Sequence, residues 1–320
     1  MKELARLLGQ FNRAGLPVML LKGAALNLTI YNQPGLRPMS DLDLMVHPQD
    51  AQRACDLLEQ CGFRRGFDLV RPDFFPRYYY ELEFVTHSPR PVRIDLHVRP
   101  FRPLRTARTM PDDALWHDAQ RVQCGHAEAL IPQPNSMFIH LAAHAAFHGC
   151  SRLLWLYDLK RLVEANTRAL EWSEIATRAQ HWRLSLPVAQ ATHRATELLG
   201  SIGLPCLLKE LATHKTSWRD RWTLAQTPRD AISPIRHVLV NGLCTPDLRF
   251  ALGYIFAHLM PSTSHLAEVY PYRHAGWTFV AQILRLTRAS VRAVARPFRT
   301  LATRIASRKP PLRATGVSQP

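Results

Sequence analysis

The run Asp41-Leu42-Asp43-Leu44-Met45-Val46 sets two carboxylates two residues apart in an otherwise apolar stretch. Alternation with period two is the strand period, so Asp41 and Asp43 share one face while Leu42 and Leu44 turn into a core. Two like charges on one face repel unless a cation lies between them. The chain must therefore build a sheet with one acid-bearing face and supply a positive partner there. Val92 to Val98 repeats the arrangement, with Asp95 between Ile94 and Leu96 and with His97 two positions on. If the two strands pair side by side, three carboxylates converge. Magnesium, or manganese in its place, is the fitting cation: it is hard, prefers oxygen ligands and shares its shell with substrate phosphates. Three acids can hold two such ions about 3.5–4 Å apart, the clamp used for in-line displacement at phosphorus. A D-x-D pair alone is equally well explained as a solvated strand face; the second apolar strand with its own acid strengthens the metal reading.

The surrounding pattern predicts where these strands sit. Leu4, Leu7, Leu8 and Phe11 recur at helical spacing over residues 1–14, and Gly15 and Pro17 end that helix. Residues 18–21 read as a buried strand, 23–31 as a helix and 32–38 as a loop. Pro48 opens a helix to about Gln60, and residues 80–87 and 92–98 read as strands joined by Ser88-Pro89-Arg90-Pro91. Residues 100–134 are studded with proline and give no clear period. Beyond Pro134 the strand signal fades: Asn135 is placed to cap a helix to about Gly149, and helices are expected over 152–165, 173–180, 187–199, 204–213, 247–260 and 275–295. This gives an α+β domain at 1–130, a helical domain at 131–284 and a basic tail at 285–320.

Further residues group around the acids. Lys22 and Gly23 follow a strand and open a helix, where glycine permits close backbone approach and free amides can meet a phosphate. Lys22 adds a point charge for a triphosphate. Arg37 and Ser40 stand just ahead of Asp41 and are candidates for phosphate binding, against ordinary loop residues. His140, His144 and His148 recur every four residues along one side of a helix. No fourth ligand is evident, so they are expected to line a face between the domains, with His148 reaching a substrate cleft alongside His97, Arg152 and Asp158. Trp155 and Tyr157 are expected in the core. Relief of repulsion predicts that removing Asp41 or Asp43 leaves the metal-free protein as stable or more so.

LLKGAAL, then Tyr31, then RPMSDLDLMV, then IDLH, resembles the uncharacterised nucleotidyltransferases of the polymerase-beta-like superfamily. The likeness extends into HLAAHAAFHGCSRLLWLYDLKRL, which resembles the family's helical segment, and covers about the first half of the chain well and the rest loosely. The resemblance implies a mixed sheet flanked by helices and followed by a helical region. It also implies a glycine-led helix start at Gly23, metal-binding and catalytic acids at Asp41, Asp43 and Asp95, and transfer of a nucleoside monophosphate from a nucleoside triphosphate to an acceptor. The chain departs from the superfamily at its first motif, where Lys22-Gly23 replaces Gly-Gly or Gly-Ser, so the phosphate grip must be rebuilt through Lys22 or Ser40. That departure keeps a rival in play: a catalytically degenerate module that binds nucleotide or a partner without turnover.

Charge matters for partners. Lysine and arginine number 41 against 25 acids, and the segment 285–320 holds nine basic residues with no acid. Arg285, Arg288, Arg292, Arg296 and Arg299 step along one helical stripe, with Leu284, Val291, Val294 and Phe298 elsewhere on the wheel. A basic amphipathic segment suits an anionic membrane surface or nucleic acid. The six cysteines match no zinc spacing and read as free thiols in a reducing cytosol. No apolar stretch is long enough to span a bilayer. The expected location is the cytoplasm, peripheral to a membrane where the tail engages one.

Overall fold

A computed structural model describes residues 1–31, 35–66, 74–200, 205–226, 234–245 and 247–259. Helix α1 (Lys2–Arg13) buries Leu4, Leu7, Leu8 and Phe11, the stripe its spacing predicts. Strand β1 (Met19–Leu20), helix α2 (Lys22–Thr29) and strand β2 (Leu42–Met45) follow. A 3-10 turn at Pro48–Asp50 leads into α3 (Ala51–Gln60), then β3 (Phe63–Arg65), α4 (Phe74–Arg77), β4 (Glu81–Thr86) and β5 (Arg93–His97). After α5 (Leu104–Thr109) come β6 (Gln120–Cys124) and β7 (Ala127–Ile131). The helices beyond are α6 (Pro134–Phe147), α7 (Leu153–Ala165), α8 (Trp172–His181), α9 (Ser185–Leu199), α10 (Pro205–Thr213), α11 (Trp218–Gln226), α12 (Pro234–Cys244) and α13 (Leu248–Leu259).

The seven strands of the described residues join one mixed sheet in the order β3-β4-β5-β2-β1-β7-β6. Strands β2 and β5 are adjacent and parallel at its centre. Parallel neighbours require a crossover connection, and α3 with the β3–β4 hairpin supplies it. Leu42 and Leu44 are both buried, as the alternation predicts. Helix α6 is buried almost all round and packs on α7, α8 and α9. One apolar cluster runs from Leu4 through Leu44, Leu96 and Phe138 to Ala257.

The structure departs from the sequence reading in several places, and β3, α4, α5, α11 and α12 stand where that reading placed no element. Residues 120–131, without a clear period in sequence, form a hairpin turned at Gly125, whose φ of +65° suits glycine. Its inward residues include Ala127 and Ala129, which carry little strand signal. Asn135 does not cap α6. Gln133 does, its side chain accepting from the Asn135 amide at 2.9 Å, while Asn135 Nδ2 donates to Glu174 in α8 at 2.5 Å. Tyr157 is not core: on the outer side of α7 it is 41% exposed, and Trp155 is only partly buried. The helix expected at 275–295 and the basic tail lie outside the described residues.

Candidate active site

The register of the central strands assembles the site. Asp43 lies directly opposite Asp95 across the parallel β2–β5 pair, and Met45 lies opposite His97. Across β5 and β4, Asp95 faces Glu83 and His97 faces Glu81. Directly opposed residues share a face of the sheet. The result is a lateral row of Asp43, Asp95 and Glu83, with His97 and Glu81 in the row beside it. Among the described residues, Asp43, Asp95 and His97 each offer one ligand atom, all within 4.8 Å of one another. Asp41 falls outside that group. It precedes Leu42, the first paired residue of β2, and is partly exposed.

Asp43 is buried and doubly engaged. Lys22 Nζ donates to its Oδ1 at 2.6 Å, and His97 Nε2 lies 3.0 Å from the same oxygen. Burial alone would raise the carboxyl, but the Lys22 charge and the His97 bond overcome it and hold Asp43 well below the usual carboxylate range. Burial likewise works against the Lys22 charge, and Asp43 with Glu81 more than offsets it, raising the ammonium. Asp95 behaves oppositely. Burial first, then the neighbouring Glu81 charge, pushes its carboxyl up to about 7. The two acids in register are thus shifted in opposite directions, Asp43 by the lysine and the His97 bond and Asp95 by burial and Glu81.

Helix α2 carries Lys22 at its first turn, with φ at +46°, a left-handed conformation that is costly for a side chain with a Cβ. Gly23, next along, is glycine for a steric reason. A Cβ there would stand 2.2 Å from Arg37 Nη1 and 2.9 Å from Met39 Cγ. Arg37 lies over α2 to reach Asp158 in α7: Nη2 donates to Oδ2 at 2.8 Å, and Nε lies 3.2 Å from both oxygens. Tyr31 Oη donates to Asp158 Oδ1 at 2.9 Å. All three groups are buried.

Several expected residues thus take up other partners. Arg37 and Asp158 engage each other. His148 and Arg152 are exposed and gather at Trp155, with the His148 ring centroid at 5.1 Å and the guanidinium at 4.9 Å from that ring. Ser40 is exposed. The histidines of α6 divide. His140 is 1% exposed beside Phe101, and neither ring nitrogen has a hydrogen-bond partner among the described residues. Burial, then the Lys22 and His97 charges, pushes it down to about 3. His144 is lowered for the same leading reason. Sequence reasoning missed Glu81, though Glu81 and Glu83 alternate with Leu82 and Phe84 as Asp41 and Asp43 do with their leucines. It also missed the Lys22–Asp43 pair, which depends on β1 and β2 being neighbours. A cavity of about 460 Å³ opens near Arg183, Ser185 and Lys215, and none of its lining residues belongs to the acid row.

A mixed sheet flanked by helices, acids in register on adjacent central strands and a glycine-bearing helix start beside them define a nucleotidyltransferase-type fold. The chain belongs to the family described as uncharacterised nucleotidyltransferase, whose pattern matches residues 1–200. Among curated proteins, none matches the chain in sequence.

Proposed function

We propose that this protein transfers a nucleoside monophosphate from a nucleoside triphosphate to an acceptor, using magnesium or manganese held at Asp43 and Asp95 with His97, and with Asp41 at the entrance to the site. One observation carries the reading: the in-register pairing of Asp43 with Asp95, with His97 within ligand distance of both. The donor set fits such an ion. The carboxylate oxygens of Asp43 and Asp95 suit magnesium or manganese. The Asp95 carboxyl is raised by burial first and then by the Glu81 and Asp43 charges, so a cation beside it would favour its ionised form. Bound there, the ion would neutralise phosphate charge and lower the pKa of an acceptor hydroxyl.

The chain's own groups do the rest. Asp43 and Asp95 fix the charge centre on two paired strands, which hold position better than loops. Lys22 and the first amides of α2 face the phosphates. The Arg37–Asp158–Tyr31 cluster holds the segment before β2 against α7, so the acids stay placed. The acceptor oxygen forms its bond to the α-phosphorus as the bond to pyrophosphate breaks, and positioning with charge neutralisation supplies most of the rate.

Incubating the full chain with cell extract and each α-labelled nucleoside triphosphate, with magnesium or manganese, tests the reading. Label on a discrete acceptor, lost in Asp95→Asn, is the expected result. Nucleotide binding without label on any molecule would favour the rival reading, a binding module without turnover. For the tail we propose an anionic membrane surface as partner. The nine basic residues of 285–320 supply charge. Leu248, Leu252 and Phe256 of α13, exposed in one helical stripe, supply an apolar face of the kind that enters a headgroup layer.

A further inference from the structure

The proposed metal site carries its own regulation in Lys22, on the reading that Asp43 and Asp95 are the metal-holding acids. We propose that Lys22 is a resident counter-cation that keeps this site closed to a divalent ion until a nucleoside triphosphate draws the lysine away.

Four observations support it. Lys22 Nζ and His97 Nε2 both contact the same oxygen, Oδ1 of Asp43, at 2.6 and 3.0 Å. An incoming ion must displace a donor there or be restricted to the other oxygen. The pair is also screened from water, with 15% of the lysine side chain and 5% of the aspartate exposed. Screening by solvent is weak in such a place, so an ammonium and a divalent ion repel strongly at close range. Next, the backbone at Lys22 is bent into the left-handed region, at φ +46°, on a residue with a full side chain. Such strain persists where surroundings over-determine it and gathers at functional sites. Finally, Lys22 heads the helix that starts beside the acid row, so it can swing from a carboxylate to a phosphate without moving α2. Lysine suits this exchange because its charge is a point on a flexible four-carbon stem.

The charge balance gives the order of events. With Lys22 Nζ and His97 Nε2 on Asp43 Oδ1, that carboxylate already has its donors, and a lone divalent ion gains little by replacing one cation with another. A triphosphate arrives with several negative charges, offers the ammonium a new partner and brings its own ion. Metal and nucleotide therefore bind with positive coupling, and that coupling is reciprocal by thermodynamic necessity. An isolated ion does not occupy the site, so the acids remain paired between turnovers.

The test is calorimetric and needs no turnover. Manganese is titrated into the full chain and into Lys22→Met, which keeps the length of the stem and removes its charge. Each titration is run alone and with a non-hydrolysable nucleoside triphosphate analogue, corrected for manganese held by the free analogue. We expect Lys22→Met to bind manganese at least tenfold more tightly than the unaltered chain when no nucleotide is present. The analogue should tighten manganese binding to the unaltered chain at least tenfold and to Lys22→Met by clearly less. Lys22→Arg, which keeps a charge, should stay as weak as the unaltered chain. Manganese binding that is equal in Lys22→Met and the unaltered chain overturns the inference while leaving the metal centre intact. Equal binding by the unaltered chain with and without analogue overturns it too, and needs no variant to fold. If no protein binds manganese under any condition, both the inference and the proposed metal centre fail.

Discussion

Asp43 and Asp95 are the same residue type on the same face, one strand apart, yet their carboxyls are shifted in opposite directions. Asp95 has its carboxyl pushed up to about 7. Below about pH 4 the group is protonated in both folded and unfolded chains. From about 4 to about 7 the unfolded chain releases that proton while the folded one keeps it, so stability falls as pH rises. The melting temperature of the metal-free chain should decline across that window, and Asp95→Asn should flatten the decline; a profile unchanged by the substitution would show the carboxyl to be ordinary. Asp43 acts with the opposite sign and at lower pH, losing its stabilising charge only as pH falls below about 4. Its pairing also corrects the sequence expectation about stability. Asp43→Asn leaves Lys22 largely buried without its counter-charge, and should cost about 3 kcal/mol, the low end for breaking a buried pair, because part of the lysine stays exposed. Urea unfolding of the metal-free chain measures it, and an unchanged midpoint would contradict the pairing. The alternation around Asp43 and Asp95 made both acids legible from sequence. The partner of Asp43 was not legible, because Lys22 is 21 positions away and a one-dimensional pattern does not say which strands are neighbours.

At the level of elements, the helices were legible wherever an apolar stripe met a stop signal, as in α1, which ends just before Gly15 and Pro17. Strands were legible where apolar residues run together, as in β1, or where large apolar side chains alternate with polar ones. β3, with Phe63 as its one buried residue, and the alanine-bearing β7 fell below that threshold. The junction of β1 and α2 shows why a correct motif can still hide its reason. Gly23 was singled out for backbone approach to a phosphate; in the structure its missing Cβ makes room for Arg37. Gly23→Ala should therefore act through the ion pair. The methyl displaces the guanidinium, with an expected loss of about 1–3 kcal/mol from overpacking. Arg37→Met and Asp158→Leu should each cost about 3–5 kcal/mol, and the double substitution less than their sum. Denaturant midpoints for the four proteins check this, and strict additivity would show that the two side chains do not depend on each other.

At the scale of the whole molecule, no described helix is long and apolar enough to cross a membrane, so contact with one rests on surfaces. Each basic residue near an anionic leaflet contributes about 1 kcal/mol, and the contribution is lost as salt rises. At low salt the full chain should float with vesicles of mixed neutral and anionic lipid, and a chain ending at Gln282 should float much less. Binding that persists in RNA but not on vesicles would instead assign the charge to nucleic acid. The same molecule has a long-range staple whose consequence concerns how the chain is made. Arg37 and Asp158 are separated by 121 positions. At about 5–20 residues per second, the arginine emerges from the ribosome roughly 6–24 s before its partner. Until α7 is out, the guanidinium has no carboxylate to lie against and nothing draws it over Gly23. A nascent chain that stalls before residue 158 therefore carries the whole acid row but lacks the clasp that holds the approach to it, so the site can be completed only after synthesis has passed α7.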